Sequence, residues 1–380
     1  MKYTFYAAAV ETAKAVLRFF YFFLKFFPSK NKVSFLSRQS NAVREDFVMI
    51  GTALAAASPK TQCVYLCRTL NGLSSVPGYV LHLFRCMYHI ATSKVCITDT
   101  YSIPLSILRH KKELTIIQIW HALGAIKKFG YQSLGRTGGR SEKLARLMEM
   151  HRNYTYVLCA SEETRRLYAE AFDVPQERIL ITGIPRIDAI LHAGEKEKQS
   201  TLFHAYPALK EKKIVLYVPT FRTTGLPDLD AMDALIDHEN YELIVKLHPL
   251  DAEKLKNQGK SFDRYPAIST LQMMTVADFI ITDYSAISIE ASLLEKPVFF
   301  YLYDIDHYLE ERGLNFNPLI EMPQCSSRDF AEIYRWILSG RYDSAARNAF
   351  RRRFVETCDT QNTERIVSLI LKQLEASPLA

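Results

Sequence analysis

At 380 residues, 48% hydrophobic and 23% charged, the chain is an ordered protein too long for one core, which points to two domains of ordinary size. Its formal net charge of +7 favours anionic partners; nucleic acid is set aside, because the basic residues are dispersed and form no aromatic-interleaved stripe. Seven cysteines, Cys63, Cys67, Cys86, Cys96, Cys159, Cys325 and Cys358, make no Cys-x-x-Cys pair and sit mostly in apolar runs, so neither zinc nor disulfides are indicated and a reduced, cytosolic protein is expected.

The first element is apolar and aromatic from Thr4 to Phe27 and stops before Pro28. Glu11, Lys14 and Arg18 interrupt it and no small-residue cleavage site follows, which argues against a signal peptide. Its uncharged runs are too short to span a bilayer. The charges at 11, 14, 18 and 25 fall on one helical face, with phenylalanines over the rest. This predicts an amphipathic membrane-binding helix within residues 1–32, lying in the interface with Arg18, Lys25, Lys30 and Lys32 near anionic head groups.

Next come short, largely β-branched runs without strict alternation: Phe47–Ile50, Cys63–Leu66, Lys94–Thr98, Thr115–Trp120, Tyr156–Ala160 and Ile179–Thr182. A second set follows at Ile214–Val218, Leu243–Leu247, Phe279–Thr282 and Val298–Tyr301. Such runs suit parallel sheets covered on both faces. The polar stretch Ala193–Ser200 separates the sets, and Tyr342–Leu374 is helical in pattern. The expected class is α/β: two doubly wound Rossmann-type domains, 33–200 and 201–340, with an interdomain cleft and helices at 341–380 that pack back on the first domain.

The segment Ala277–Tyr301 holds a buried strand, a polar turn, a helix start and a second strand. Asp283 and Ser285 offer capping oxygens, and the free amides of the next turn would face an anion. No Walker loop or Gly-x-Gly-x-x-Gly fingerprint accompanies it, so neither an ATPase nor a simple NAD enzyme is favoured. In a doubly wound protein the strand-end loops face the ligand. They carry Trp120-His121, Gly124, Lys127 and Lys128 from the first domain, and Thr220, Arg222, His248, Asp283 and Ser285 from the second.

Six spaced motifs carry a resemblance: Ile119-Trp-His-Ala-Leu-Gly-Ala-Ile-Lys-Lys-Phe-Gly130, Thr182-Gly-Ile-Pro-Arg-Ile-Asp188, Leu216-Tyr-Val-Pro-Thr-Phe-Arg222, Lys246-Leu-His-Pro249, Ile281-Thr-Asp-Tyr-Ser-Ala286 and Phe300-Tyr-Leu-Tyr-Asp304. In this order, from about Val33 to Phe316, the chain resembles the CDP-glycerol glycerophosphotransferase family of wall teichoic acid synthesis. It looks most similar to the glycerol-phosphate primase branch, because Ala122 and Leu123 follow the Trp-His pair where polymerases more often have Gly and Thr.

The resemblance implies a GT-B-like fold and transfer of glycerol 3-phosphate from CDP-glycerol to a hydroxyl of a polyprenyl-pyrophosphate-linked disaccharide, with CMP leaving. It implies a peripheral protein on the cytoplasmic face of the membrane, open to complexes with other teichoic acid enzymes. Polymerization, CDP-ribitol as donor and sugar transfer on the same fold stay open as alternatives. His121 is the candidate base and His248 the second catalytic histidine, since a neutral imidazole can take a hydroxyl proton near pH 7. Donor binding falls to Thr220, Arg222, Lys246, Asp283, Ser285, the Ala286 amide and Glu290, as donors should meet the charge growing on CMP. Ala286 stands where a second serine is common in the family. Trp120, Gly124, Lys127 and Lys128 are assigned to the acceptor, and Gly183 and Arg186 to the cleft wall. No metal site or tightly bound cofactor is expected, which leaves room for Mg2+ held loosely on the donor.

Overall fold

The computed structural model describes residues 2–70, 72–222 and 225–376. By contacts the chain divides into two units. The first comprises residues 1–122, 129–186 and 361–380, and the second residues 123–128 and 187–360.

The first unit is built on a six-stranded, wholly parallel sheet in the order β2-β1-β3-β4-β5-β6. The strands are β1 Lys30–Ser37, β2 Gln62–Cys67, β3 Ser93–Thr98, β4 Thr115–Gln118, β5 Tyr156–Cys159 and β6 Ile179–Ile181. The inner strands β1, β3, β4 and β5 are buried on both faces, which is why the sequence reads as apolar runs, while the edge strands β2 and β6 are half-buried. On one face Val33, Phe35, Val95, Ile97 and Ile117 pack with Phe47, Ile50 and Leu54 of helix α2, Glu45–Ala57. Ile366, Val367 and Ile370 of the helix Asn362–Glu375 complete that core. The chain leaves β1 toward β2 and then crosses to β3, so the topological switch point lies between the carboxyl ends of β1 and β3.

The second unit has a five-stranded parallel sheet in the order β11-β10-β9-β7-β8. Its strands are β7 Lys213–Tyr217, β8 Tyr241–Val245, β9 Phe279–Thr282, β10 Val298–Tyr301 and β11 Ser326–Ser327. Here the switch point falls between β7 and β9.

Several sequence expectations change. Phe47–Ile50, read as a strand, is one turn of α2, while Lys30 and Lys32, read as the anchor's basic end, stand at the start of the interior strand Lys30–Ser37. A four-residue apolar run cannot distinguish the two states, and packing against β1 decides it. The division between units comes at Arg186, not at 200. The block 341–380 splits, since the helix Ser344–Phe354 belongs to the second unit and only the last helix to the first.

The N-terminal helix α1, Lys2–Leu24, forms with the opposite polarity to that expected. Its cations point inward. Lys14 is buried, with Nζ 2.8 Å from the Leu147 carbonyl and 2.8 Å from Glu149 Oε1. Arg18 Nε donates to the Ile107 carbonyl at 2.9 Å, and its Nη2 pairs with the same glutamate. Lys32 is buried in β1, where its Nζ donates to Thr92. Phe5, Phe19, Phe22, Phe23, Phe26 and Phe27 are instead exposed. A helix with few charges satisfies them first on its own domain, since an unpaired buried charge costs several kcal/mol, and the aromatic side is left outward. Among the described residues no helix is long and apolar enough to cross a membrane.

Candidate active site

In the first unit the chain beyond β4 turns sharply at Trp120, whose φ of 56° is left-handed and strained for a bulky residue. Stacking offsets that strain. The indole lies 4.7 Å from the Phe129 ring and meets Phe172 edge-on at 5.1 Å, while its amide donates to Gln118 Oε1 at 2.8 Å. Trp120, assigned to the acceptor from sequence, is thus first of all the wedge that sets His121.

His121 Nδ1 lies 2.9 Å from the Asp99 carbonyl, which can only accept, so Nδ1 carries the proton and Nε2 keeps its lone pair. Burial pushes the pKa of this imidazole down to about 4, and the nearby Arg44 lowers it further. At neutral pH it is uncharged and able to accept a proton. Sequence reading missed its support. The Asp99 carboxyl is pushed up to about 6 by burial, accepts from Ser37 Oγ at 3.0 Å and lies 3.4 Å from Arg44 Nε. The only sequence signal was a polar residue ending an apolar strand. Gly183, with φ of 71°, donates its amide to the Cys159 carbonyl at 3.0 Å, and Arg186 lies 3.7 Å from Glu45.

In the second unit the loops after β7 and β9 meet at the switch point. Asp283 is buried and accepts from the Thr220 amide at 2.8 Å and the Thr220 hydroxyl at 2.7 Å. Arg222 Nη2 donates to Asp283 at 2.8 Å and Nε donates to Asp304 at 2.6 Å, with the guanidinium ringed by Tyr284, Tyr303 and Tyr308. At 3% exposed it has no free edge for a phosphate, so Arg222 and Asp283 are the internal tie of the site. Lys246 is likewise engaged. Its ammonium donates to both oxygens of Asp263 at 2.9 Å and to the carbonyls of Tyr265 at 2.6 Å and Ile268 at 2.8 Å. The sequence could show that these cations stand at strand ends, but not that carboxylates already hold them.

Three acceptor-side assignments move. Gly124, Lys127 and Lys128 belong to the second unit, through the segment Leu123–Lys128. Lys127 pairs with Leu314 in an antiparallel bridge, and its Nζ donates to Thr220 Oγ1 at 3.0 Å. Burial pulls its pKa down to about 8, against the raising effect of Asp283. The Lys128 amide donates to the Gly313 carbonyl. Gly124 has φ of 75°, and a Cβ there would stand 2.5 Å from Ile289 Cδ1, so this glycine admits close packing.

His248 caps the helix Pro249–Asn257 by accepting the Leu250 amide at Nδ1, 3.3 Å away. Its neutral form therefore carries the proton on Nε2. Burial lowers its pKa, as does Lys127, while Asp251 raises it. Ser285 Oγ accepts the Ile287 amide at 3.3 Å, and Ala286 precedes the short helix Ile287–Leu293 that buries Glu290. The open donors of this face are thus Lys127 Nζ, His248 Nε2 and Ser285 Oγ. Among the described residues no group of three His, Cys, Asp or Glu side chains is placed to hold a metal ion.

The model of the CDP-glycerol:poly(glycerophosphate) glycerophosphotransferase family matches residues 18–372. The chain belongs to this family. It is 34% identical over 325 residues to the teichoic acid ribitol-phosphate primase of Bacillus spizizenii W23, covering 82% of this chain and 84% of that protein. It is 32% identical over 253 residues to the teichoic acid glycerol-phosphate primase of Bacillus subtilis 168, covering 64% of each. Its fold is similar to that of a wall teichoic acid polymerase TagF variant soaked with CDPG, with TM-score 0.73, 19% identity and coverage of 98% and 96%. The six-motif resemblance is therefore a family relation. As a glycerophosphotransferase-family member with two parallel sheets, the chain is a GT-B-like transferase of teichoic acid synthesis.

Proposed function

We propose that the protein primes wall teichoic acid, transferring one polyol phosphate from a CDP-polyol to a hydroxyl of a polyprenyl-diphosphate-linked disaccharide and releasing CMP. The observation that carries this reading is that, within each unit, a strand-end histidine is held in one tautomer. His121 offers a lone pair at Nε2 and His248 offers a proton at Nε2. The acceptor hydroxyl gives its proton to His121 as its oxygen forms the new bond to phosphorus. The bond from phosphorus to the CMP phosphate oxygen breaks, and the electron pair leaves with CMP. His248 and Lys127 donate to phosphate oxygens whose charge grows in that step. No tightly bound cofactor enters.

Glycerol and ribitol are both donors to weigh, because the 34% relative is a ribitol-phosphate primase and the 32% relative a glycerol-phosphate primase. The protein, mixed with a synthetic lipid-linked disaccharide and with CDP-glycerol or CDP-ribitol in turn, should release CMP and add a single unit, read by mass. A ladder of units would make it a polymerase, and release of UDP from UDP-sugars alone would reject the reading.

The proposed location is the cytoplasmic face of the membrane, with the aromatic side of α1 in the lipid interface. The exposed Phe5, Phe19, Phe20, Phe22, Phe23, Phe26 and Phe27 support this, together with Lys25 and exposed Lys30 beyond the helix.

A further inference from the structure

Arg38 and Arg68 leave the first sheet side by side. Ser37 pairs with Cys67 in the parallel register of β1 and β2, and the Arg68 amide donates to the Ser37 carbonyl at 3.0 Å. The arginines that follow therefore occupy matching places on neighbouring strands, about 5 Å apart by strand spacing, and leave the sheet on the same side. Both reach the first turn of helix α3, Val76–Ala91. The Arg38 guanidinium lies 5.8 Å from the Tyr79 ring centre, and Gly78 makes room for Arg68, since a Cβ there would stand 2.4 Å from Arg68 Nη2.

Two cations so placed repel each other unless an anion lies between them. Among the described residues neither makes an ion pair with a carboxylate. Arg38 Nη1 donates to the Tyr101 carbonyl at 3.4 Å, and Arg38 Nε is buried without a hydrogen-bond partner. A crevice with room for about one water lies here, lined by Arg38 but not Arg68, with Tyr79, His82 and the apolar Leu36, Leu66 and Leu83. It adjoins the β1/β3 switch point, where doubly wound sheets take ligands. The positive end of the 16-residue α3 faces the same turn. Beyond the crevice the surface is apolar. Leu81 of α3 is 73% exposed, and Phe84 meets Phe20 of α1 at 5.5 Å, next to the outward phenylalanines.

We propose that Arg38 and Arg68 form an anion subsite for the phosphate or diphosphate of an ester whose organic part is apolar, the chain of that ester running over α3 toward α1. This rests on the transferase reading above, in which the ester is the lipid-linked acceptor and its diphosphate occupies the subsite. A bilayer phospholipid offers the same chemistry, so the test must separate them.

Farnesyl diphosphate, a soluble ester of this class, is titrated into the full chain by calorimetry, a measurement that needs no turnover. Arg38→Gln should weaken its binding about tenfold or more, as expected for loss of a charge-assisted hydrogen bond. Gly78→Ala, which keeps both charges but displaces the Arg68 guanidinium, should weaken it severalfold. With a farnesyl-diphosphate-linked disaccharide as acceptor, the acceptor KM should rise in parallel while the KM for the CDP-polyol and kcat stay within about twofold. Unchanged farnesyl diphosphate affinity in both variants, each melting like the native protein, would overturn the subsite. So would unchanged acceptor KM accompanied by lost binding to phosphatidylglycerol vesicles, which would give the arginines to the bilayer. Normal farnesyl diphosphate binding by a protein that transfers no polyol phosphate would keep the subsite and reject the function.

Discussion

Lys127 ties donor affinity to pH in a way that can be worked from its surroundings. Burial brings its pKa down to about 8, so near pH 7 it is mostly an ammonium, beside Thr220 on the proposed donor-binding face. If the donor's diphosphate needs that charge, affinity should follow the protonated fraction. That fraction falls from about nine-tenths at pH 7 to about one-tenth at pH 9, a loss of roughly tenfold. The unliganded protein should respond in the opposite sense. A lysine whose folded pKa lies below its unfolded value makes the unfolded chain bind more protons between about pH 8 and pH 10.5, so stability rises with pH across that window. The gain is at most about 3 kcal/mol, reduced by whatever solvent reaches the amine. Calorimetric titration of CDP-glycerol and CDP-ribitol at pH 7, 8 and 9, with urea unfolding at pH 8 and 10, measures both on the native protein and on Lys127→Met. The native protein should lose affinity and gain stability relative to the variant across this range, and the variant should bind weakly at every pH. Flat donor affinity from pH 7 to 9 in the native protein, or the same decline in the variant, would refute the reasoning.

Other expectations concern single groups. His121→Ala should lower transfer about 100- to 10,000-fold while CDP-polyol affinity, measured by titration, stays within about twofold; lost donor affinity in a folded variant would take the base role from His121. Arg222→Gln should destabilise the fold by about 3–5 kcal/mol in urea unfolding, because buried Asp283 and partly buried Asp304 lose their shared cation; a stable variant with only weaker donor binding would return Arg222 to the phosphate. Changing Phe23 and Phe26 of the N-terminal segment to Gln should weaken partition onto phosphatidylglycerol vesicles by about tenfold or more without lowering the melting temperature, since both rings are more than half exposed, and raising the salt should change this contribution little.

The two parallel sheets were legible because strands buried on both faces must be apolar throughout, and ten such runs stand out; nine of them are strands. The strand ends were legible for the same reason, since polar residues closing apolar runs mark where ligands can reach the sheet. His121, His248, Thr220 and Ser285 all follow strands in this way. Asp99 and the arginines Arg38 and Arg68 passed unnoticed, because each becomes informative only beside residues distant in sequence.

By itself, the sequence determined the family, the α/β class and the places where candidate site residues leave the sheets. These follow from local spacing, which the chain carries wherever it folds. Tertiary structure decided which charges are free. Arg222 and Lys246 look like phosphate ligands until buried carboxylates and carbonyls are seen to hold them, whereas Lys127 changes unit and becomes a donor. The same competition turned α1 around. Its cations found Glu149 and backbone carbonyls on their own domain, and the phenylalanines were left to face outward. A charge in a folded chain goes to the partner that best repays its lost hydration, and that partner is chosen by packing rather than by sequence spacing.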